Sequence, residues 1–192
     1  IIHADYHVSL IVLFAIFLLY FLAGKLGLMF AFVQQNTSPV WPPTGMAIVA
    51  VMLFGYRVWP AIFVGSLLVN LTTAVPIWPA LAIGAGNTLE AITAVCLINK
   101  WIGGKNPLGS INHLLKFIVS AALLAPVISA TIGIGVLTVS NVVPVEHFRS
   151  LWLTWWSGDA AGALIVAPAL LAWGFDLSLR TIRGRGVEFF IM

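Results

Sequence analysis

Residues 39–55 read PVWPPTGMAIVAVMLFG, a proline-rich break that runs directly into a short apolar segment. At about 1.5 Å of rise per helical residue, the part from Gly45 to Gly55 covers about half of a hydrocarbon core of roughly 30 Å. The pattern fits either a broken membrane helix or an extracytoplasmic loop. In a broken helix, protein or a water-filled cavity must cover the irregular backbone. Since proline lacks an N–H and threonine caps helix starts, we predict that Thr44 caps a helix beginning near Gly45.

The composition of the 192-residue chain is that of a membrane protein, with 61% hydrophobic residues, 8% charged residues and a mean hydropathy of +1.07. Globular domains carry about 25% charged residues. We therefore predict an all-α, polytopic transmembrane helical bundle with about six spans, one of them short and preceded by the proline-broken segment. The whole chain, residues 1–192, is predicted to form one integral-membrane domain.

Two further features of the composition exclude classes of function. The formal charge of +3 does not indicate a nucleic-acid surface, because no basic run is interleaved with exposed aromatic residues. The single cysteine, Cys96, lies inside an apolar segment, which rules out an internal disulfide and a thiolate metal site. We predict that Cys96 is a buried structural thiol.

Six apolar segments are candidate spans, at residues 8–33, 45–54, 59–76, 78–98, 117–139 and 152–173. Lys25 interrupts the first and either snorkels to the outer interface or points into the bundle. Pro126 predicts a kink in the fifth. That span also has a face of small residues that favours close helix packing, and the sixth has a Gly-x-x-x-Gly pair. These small residues are Ala121, Ala125, Ser129 and Gly133, then Gly158 and Gly162.

The basic residues predict an orientation. If residues 1–7 are cytoplasmic, seven lysines and arginines fall on the cytoplasmic side and only Arg149 falls on the opposite side. This asymmetry follows the positive-inside rule and predicts that the N-terminus and the basic 180–185 stretch are both cytoplasmic. The seven residues are Arg57, Lys100, Lys105, Lys116, Arg180, Arg183 and Arg185.

Two carboxylic acids, Glu90 and Asp159, lie inside predicted spans. We expect them to face away from lipid, because a charge at that depth is unfavourable. Asn87 shares a helical face with Glu90, and Asn70 lies on the neighbouring span. These groups form either a polar pocket for a ligand or proton, or hydrogen bonds that hold the helices together.

The tryptophans divide into two groups. Trp155 precedes Asp159 by four residues, and a cation over an indole beside a carboxylate is a plausible recognition geometry. Trp41 lies beside the proline break, whereas Trp59, Trp78, Trp152 and Trp173 are better explained as an interfacial belt. The predicted ligand-binding residues are therefore Trp41, Pro42, Thr44, Asn70, Asn87, Glu90, Trp155 and Asp159.

The sequence contains no catalytic motif: no glycine-rich phosphate loop, HExxH pair or GxSxG elbow is present. We predict that this chain is not an enzyme, although Glu90 and Asp159 leave an intramembrane acid–base pair as a third hypothesis. No cofactor or metal is predicted. The alternative is a haem or metal site formed by the histidines, which are His3, His7, His113 and His147.

Three stretches resemble the type-one membrane-associated sensor domain, the MASE family: VWPPTGMAIVAVMLFGYRVWPAIFVGSLLVN at 40–70, GNTLEA at 86–91 and WLTWWSGDAAGALIVAPALLAW at 152–173. The resemblance covers about residues 15–175. It implies signature residues in four groups: Trp41, Pro42, Pro43, Thr44 and Gly45; Asn70; Asn87 and Glu90; and Trp155, Gly158, Asp159 and Gly162.

The resemblance also implies a function. Members are input modules of the bacterial inner membrane, attached to cytoplasmic histidine kinases of two-component systems, or to cyclases and phosphodiesterases of cyclic di-GMP. They usually have about eight spans before the output domain, so this chain is expected to be truncated or to function as a six-span core.

We therefore expect a sensor in the lipid bilayer that binds an unidentified small ligand in its polar pocket. It would signal to an output domain in cis or a partner in trans, with a homodimer possible and no nucleic-acid partner. The alternative is a substrate-binding membrane subunit of a small-molecule uptake transporter.

Overall fold

The computed structural model describes residues 8–29, 38–73, 75–104 and 106–188, with side chains as far as residue 173. Within these ranges the chain is helical apart from turns and short connections and contains no strand, so the predicted all-α bundle is confirmed. The helices form six rods, the fifth of which contains two helices. They are α1 (Leu10–Met29), α2 (Pro42–Phe54), α3 (Trp59–Leu71), α4 (Ile77–Ile102), α5 (Ile111–Phe117) continuing into α6 (Ala125–Val139), and α7 (Phe148–Glu188).

Four of these rods are long and apolar enough to cross a membrane: Leu10–Met29, Ile77–Ile102, Ile111–Val139 and Val145–Trp173. The helices α2 and α3 have 13 residues each. At the helical rise this is about 20 Å, less than the hydrocarbon core. The sequence predicted one short segment, and the structure has two.

The third segment is shorter than predicted because α3 ends at Leu71 rather than near Pro76. The hydroxyls of Thr72 and Thr73 donate to the carbonyls of Val69 and Asn70, each at 2.7 Å. The same two carbonyls also accept the backbone N–H groups of Thr72 and Thr73, so the last turn of α3 is closed by both kinds of bond.

The prediction that Thr44 caps a helix near Gly45 is wrong. The helix α2 begins at Pro42, its N-cap is Trp41, and no side chain caps it. Two prolines occupy the first two helical positions, where a missing N–H leaves nothing unsatisfied, so the helix can start before the threonine. Thr44 therefore lies within the first turn, and its hydroxyl is available to another helix.

The expected irregularity at Pro126 takes the form of a π-helical segment, Ile118–Leu124, between α5 and α6. Proline lacks the N–H that would bond the carbonyl one turn earlier, and the preceding turn is widened. In the same segment, the carbonyl of Leu123 accepts a hydrogen bond from the indole N–H of Trp156 at 3.1 Å. The predicted small-residue face of this rod is buried, as its interfacial role requires.

The last helix is longer than predicted. It covers Phe148–Glu188, 41 residues with Pro168 inside, rather than residues 152–173. The basic 180–185 stretch is therefore part of the helix and not a loop after it. At about 60 Å, α7 is roughly twice as long as a hydrocarbon core is thick.

The outer surface of the bundle is apolar, as a lipid-facing surface should be. Trp59, Trp78 and Trp173 are at least half exposed, consistent with an interfacial belt. Lys25 is exposed, and its ammonium donates to the hydroxyl of Thr72 at 2.9 Å instead of pointing into the bundle. Cys96 is also exposed, so the prediction of a buried thiol is wrong: an apolar segment does not by itself reveal which of its faces meets lipid.

Candidate functional site

A cluster of hydrogen-bonded polar side chains lies in the centre of the bundle and is organised by Asp159 of α7. The carboxylate accepts a hydrogen bond from the Thr44 hydroxyl of α2 at 2.8 Å and a second one from the Ser129 hydroxyl of α6. The indole N–H of Trp155 donates to the oxygen of Ser129 at 3.0 Å. All four side chains are buried, and Asp159 has no exposed surface.

Glu90 of α4 completes what we call the carboxyl cluster (Thr44, Glu90, Ser129, Trp155 and Asp159). Its carboxyl group lies within hydrogen-bonding reach of the Asp159 carboxyl and of the Ser129 hydroxyl. Two carboxyl groups can form such a bond only when one of them carries a proton. Its other oxygen, Oε1, is buried and has no hydrogen-bond partner.

A second group, the amide cluster (Tyr20, Ser66, Asn70 and Asn87), lies beside the first. Asn87 of α4 donates to the Ser66 hydroxyl at 2.8 Å, and Asn70 donates to the Ser66 carbonyl at 2.9 Å. The Tyr20 hydroxyl of α1 lies next to the side chains of Ser66 and Trp41. The amide oxygen of Asn87 is buried without a partner.

The glycine pair of α7 positions the proline-broken segment next to these clusters. A Cβ on Gly158 would overlap the carbonyl of Ser38, and one on Gly162 would overlap the carbonyl of Trp41. The backbone N–H of Trp41 donates to the Gly158 carbonyl at 2.9 Å. The irregular backbone of the described residues 38–41 is thus packed on α7, as a break at bilayer depth requires.

A small cavity separates the two clusters. The space available to the centre of a water-sized sphere is about 10 Å³, which is close to the least that holds one water molecule. A metabolite does not fit in this conformation. The lining residues are Leu28, Ser38, Trp41, Asn70, Asn87, Trp155 and Asp159.

The structure brings together seven of the eight residues predicted to bind a ligand. Five of them line the cavity. Thr44 and Glu90 do not line it, but both lie against Asp159, which does. Pro42 is different, because it packs with Trp41 against Gly27 of α1 and supports the site from outside. Whether these residues bind a ligand stays a prediction.

Three members of the clusters were not predicted as site residues: Tyr20, Ser66 and Ser129. Ser129 appeared only in the small-residue face, although a hydroxyl in such a face is a common interhelical donor. Tyr20 gives a weaker signal: the buried residues of α1 are Tyr20, Ala23, Gly24 and Gly27, a single tyrosine among small residues in an otherwise lipid-facing helix. No sequence feature separates Ser66 from an ordinary helical serine.

The electrostatics of the carboxyl cluster are those of an acid site without a basic partner. Among the described residues, the interactions of Asp159 and Glu90 involve hydroxyls, an indole and each other, and no lysine, arginine or histidine. Inserting one aspartate at mid-helix costs on the order of 2.5 to 3.5 kcal/mol. The arrangement is suited to binding a proton or a small cation.

Metal binding by histidine stays untested. The pair His3 and His7 lies outside the described residues. The Nδ1 atom of His113 is 3.1 Å from the Asn106 carbonyl, and His147 is exposed. Among the residues that the structure describes, no three His, Cys, Asp or Glu side chains are grouped as metal ligands.

Comparison with known proteins gives two matches. The model of the family MASE1 matches residues 12–186. The chain is also similar to the probable diguanylate cyclase DgcE of Escherichia coli strain K12, with 25% identity over 135 residues. That match covers 68% of this chain but only 12% of the relative's length. No solved structure matches.

Proposed function

Because the chain belongs to the MASE1 family of membrane sensor domains, we propose that its two polar clusters sense occupancy of the central cavity and relay it to a cytoplasmic output module. The chain itself is an input domain of a multi-pass inner-membrane protein and contains no catalytic domain. The observation that carries the proposal is that every rod contributes to the clusters. The contributing side chains are Tyr20 from α1, Thr44 from α2, Ser66 from α3, Glu90 from α4, Ser129 from α6 and Asp159 from α7.

The relay requires two packings of the helices that bind the ligand with different affinity. Asp159 connects α7 to α2 through Thr44 and to α6 through Ser129. A change in the charge or partners of this one carboxylate would therefore alter two helix contacts at once. Since α7 continues to Glu188, its rotation or tilt would be transmitted along one continuous helix to the basic stretch.

We further propose that the basic end of α7 is cytoplasmic, as the positive-inside rule predicts. The basic groups Arg57, Lys100 and Lys116 lie in or next to the connections on the predicted cytoplasmic side, and the Lys116 ammonium donates to the Trp101 carbonyl at 3.0 Å. Thr72 and Pro76 are exposed, so a cysteine label at either position, with Cys96 replaced by serine, tests this orientation.

The resemblance to a probable diguanylate cyclase supports a cyclase as the attached output, with cyclic di-GMP as its product. A cavity of about 10 Å³ does not favour the uptake-transporter alternative, since a transported metabolite would need a larger site.

The proposal is tested in a fusion of this chain to a diguanylate cyclase domain, with cyclic di-GMP measured in cells. We expect Asp159→Asn and Glu90→Gln to change output about fivefold, in either direction, since one interhelical hydrogen bond contributes about 1 kcal/mol. Glu146→Gln, an exposed carboxylate outside the clusters, is the matched control and should leave output unchanged. Membrane fractionation must show equal insertion of all variants. Wild-type output from both cluster variants would refute the proposed role.

A further inference from the structure

From the cavity, its carboxylate and the unpaired amide oxygen of Asn87, we propose that the site binds a small dehydrated alkali cation of about the size of Na⁺. The cation would bind at the site of the proposed sensory function. Its binding does not require that function, but its effect on signalling does. One buried oxygen points to it independently of the acidic residues. Asn87 is 4% exposed and lines the cavity, and its amide oxygen has no hydrogen-bond partner.

The charge of the carboxyl cluster fits a monovalent ion. The Glu90 carboxyl lies within hydrogen-bonding reach of the Asp159 carboxyl, and one proton shared between them would leave one negative charge on the pair. No basic side chain among the described residues balances that charge. The titratable groups that face Asp159 are Tyr20 from α1 and Glu90 from α4, whereas α2, α3 and α6 contribute only hydroxyl and amide groups.

The ligand set fits a hard cation, which prefers carboxylate, amide and hydroxyl oxygens. Asp159, Asn87, Asn70 and Ser38 provide such oxygens around the cavity. The non-helical backbone before α2 lies at the same place, and breaks of this kind at membrane depth provide further oxygen ligands for ions. The space of about 10 Å³ admits one ion or one water but not an organic molecule.

Binding is measured on the 192-residue chain in lipid nanodiscs, with isotope-labelled Na⁺ and with thermal unfolding in NaCl against N-methylglucamine chloride at equal ionic strength. We expect Na⁺ to be retained and to raise the unfolding temperature, because a ligand that binds only the folded state stabilises it. At acidic pH, the apparent Kd for Na⁺ should rise about tenfold per pH unit, since a proton competes for the same carboxylate.

The variants assign the binding to this cavity. Asp159→Asn should abolish Na⁺ retention, and Asn87→Ala should raise the apparent Kd about tenfold, whereas Glu146→Gln should bind like the wild type. If Asp159→Asn does not fold, Asn87→Ala decides. Wild-type Na⁺ affinity in Asn87→Ala would overturn the proposal. Two results with the wild type would also overturn it. An unfolding temperature that depends on pH without Na⁺ retention indicates a proton site. An unfolding temperature that depends on neither pH nor Na⁺ indicates a structural water.

The two proposals can fail separately. If Asp159→Asn changes the output of the cyclase fusion but the chain does not retain Na⁺, the signalling role stands and the cation site is wrong. If the chain retains Na⁺ but no cluster variant changes output, the cation site stands and the signalling role is wrong.

Discussion

Gly162→Ala should separate α2 from α7, because no space exists for a methyl group at this position. Its Cβ would overlap the carbonyl oxygen of Trp41, and the Cβ of a residue at 45 would in turn meet the carbonyl of Gly162. Both obstacles are backbone atoms, which cannot rotate away as a side chain does. The two helices must move apart, and the bond from the Trp41 N–H to the Gly158 carbonyl must weaken.

The change in the free energy of unfolding has two destabilising contributions and one stabilising contribution. Overpacking costs about 1–3 kcal/mol, and the weakened backbone bond adds up to about 1 kcal/mol. Replacing glycine by alanine within a helix returns roughly 0.5–1 kcal/mol. The free energy of unfolding should therefore fall by about 2 kcal/mol, between limits of about 0 and 3.5 kcal/mol.

Gly135→Ala is the matched control, because Gly135 also lies within a helix, α6, and a Cβ there meets no atom within 4 Å. It should stabilise the fold by about 0.5–1 kcal/mol through helix propensity alone. The assay is tryptophan fluorescence during unfolding in mixed detergent micelles with increasing sodium dodecyl sulfate. If Gly162→Ala were as stable as Gly135→Ala, α2 and α7 would not be packed as closely as the structure shows.

Three further substitutions test single contacts in the same unfolding assay. Thr44→Val should destabilise the fold by about 1–3 kcal/mol, because it leaves an Asp159 oxygen without its donor, whereas Thr44→Ser keeps the hydroxyl and should recover most of the loss. Trp155→Phe removes the N–H that bonds Ser129 and part of the ring that contacts Gly133, so a loss of about 1–3 kcal/mol is expected, and wild-type stability would contradict that contact. Cys96→Ser should change stability by less than about 0.5 kcal/mol, since the thiol is exposed; a large effect would mean that it is packed after all.

Much of the bundle could be predicted from the sequence because it follows from local patterns. Apolar runs of sufficient length indicated the long spans, and helical spacing placed Asn87 with Glu90 and Trp155 with Asp159 on common faces. The cost of a carboxylate in lipid predicted that Glu90 and Asp159 point inward, and both are buried.

The remaining errors concern partners that lie far apart in the chain. Thr44 is a reasonable cap in its local sequence, but its hydroxyl bonds Asp159, which lies 115 residues further along the chain. Ser129 is 30 residues from Asp159 and was assigned to packing alone. Helical periodicity describes one helix at a time, so it predicts which residues share a face but not which face of another helix they meet.

The proline break and the carboxyl cluster are coupled through consecutive residues of α7. The carbonyl of Gly158 accepts from the Trp41 backbone, and the side chain of the next residue, Asp159, accepts from the Thr44 hydroxyl. Trp41 and Thr44 are themselves joined within the first turn of α2 by a backbone bond of 3.2 Å. The start of α2 therefore cannot move away from α7 without removing a donor from Asp159. Conversely, any change that makes Asp159 a poorer acceptor, such as binding a cation, weakens the attachment of α2. Binding of one ion at Asp159 would therefore be able to shift the whole of α2.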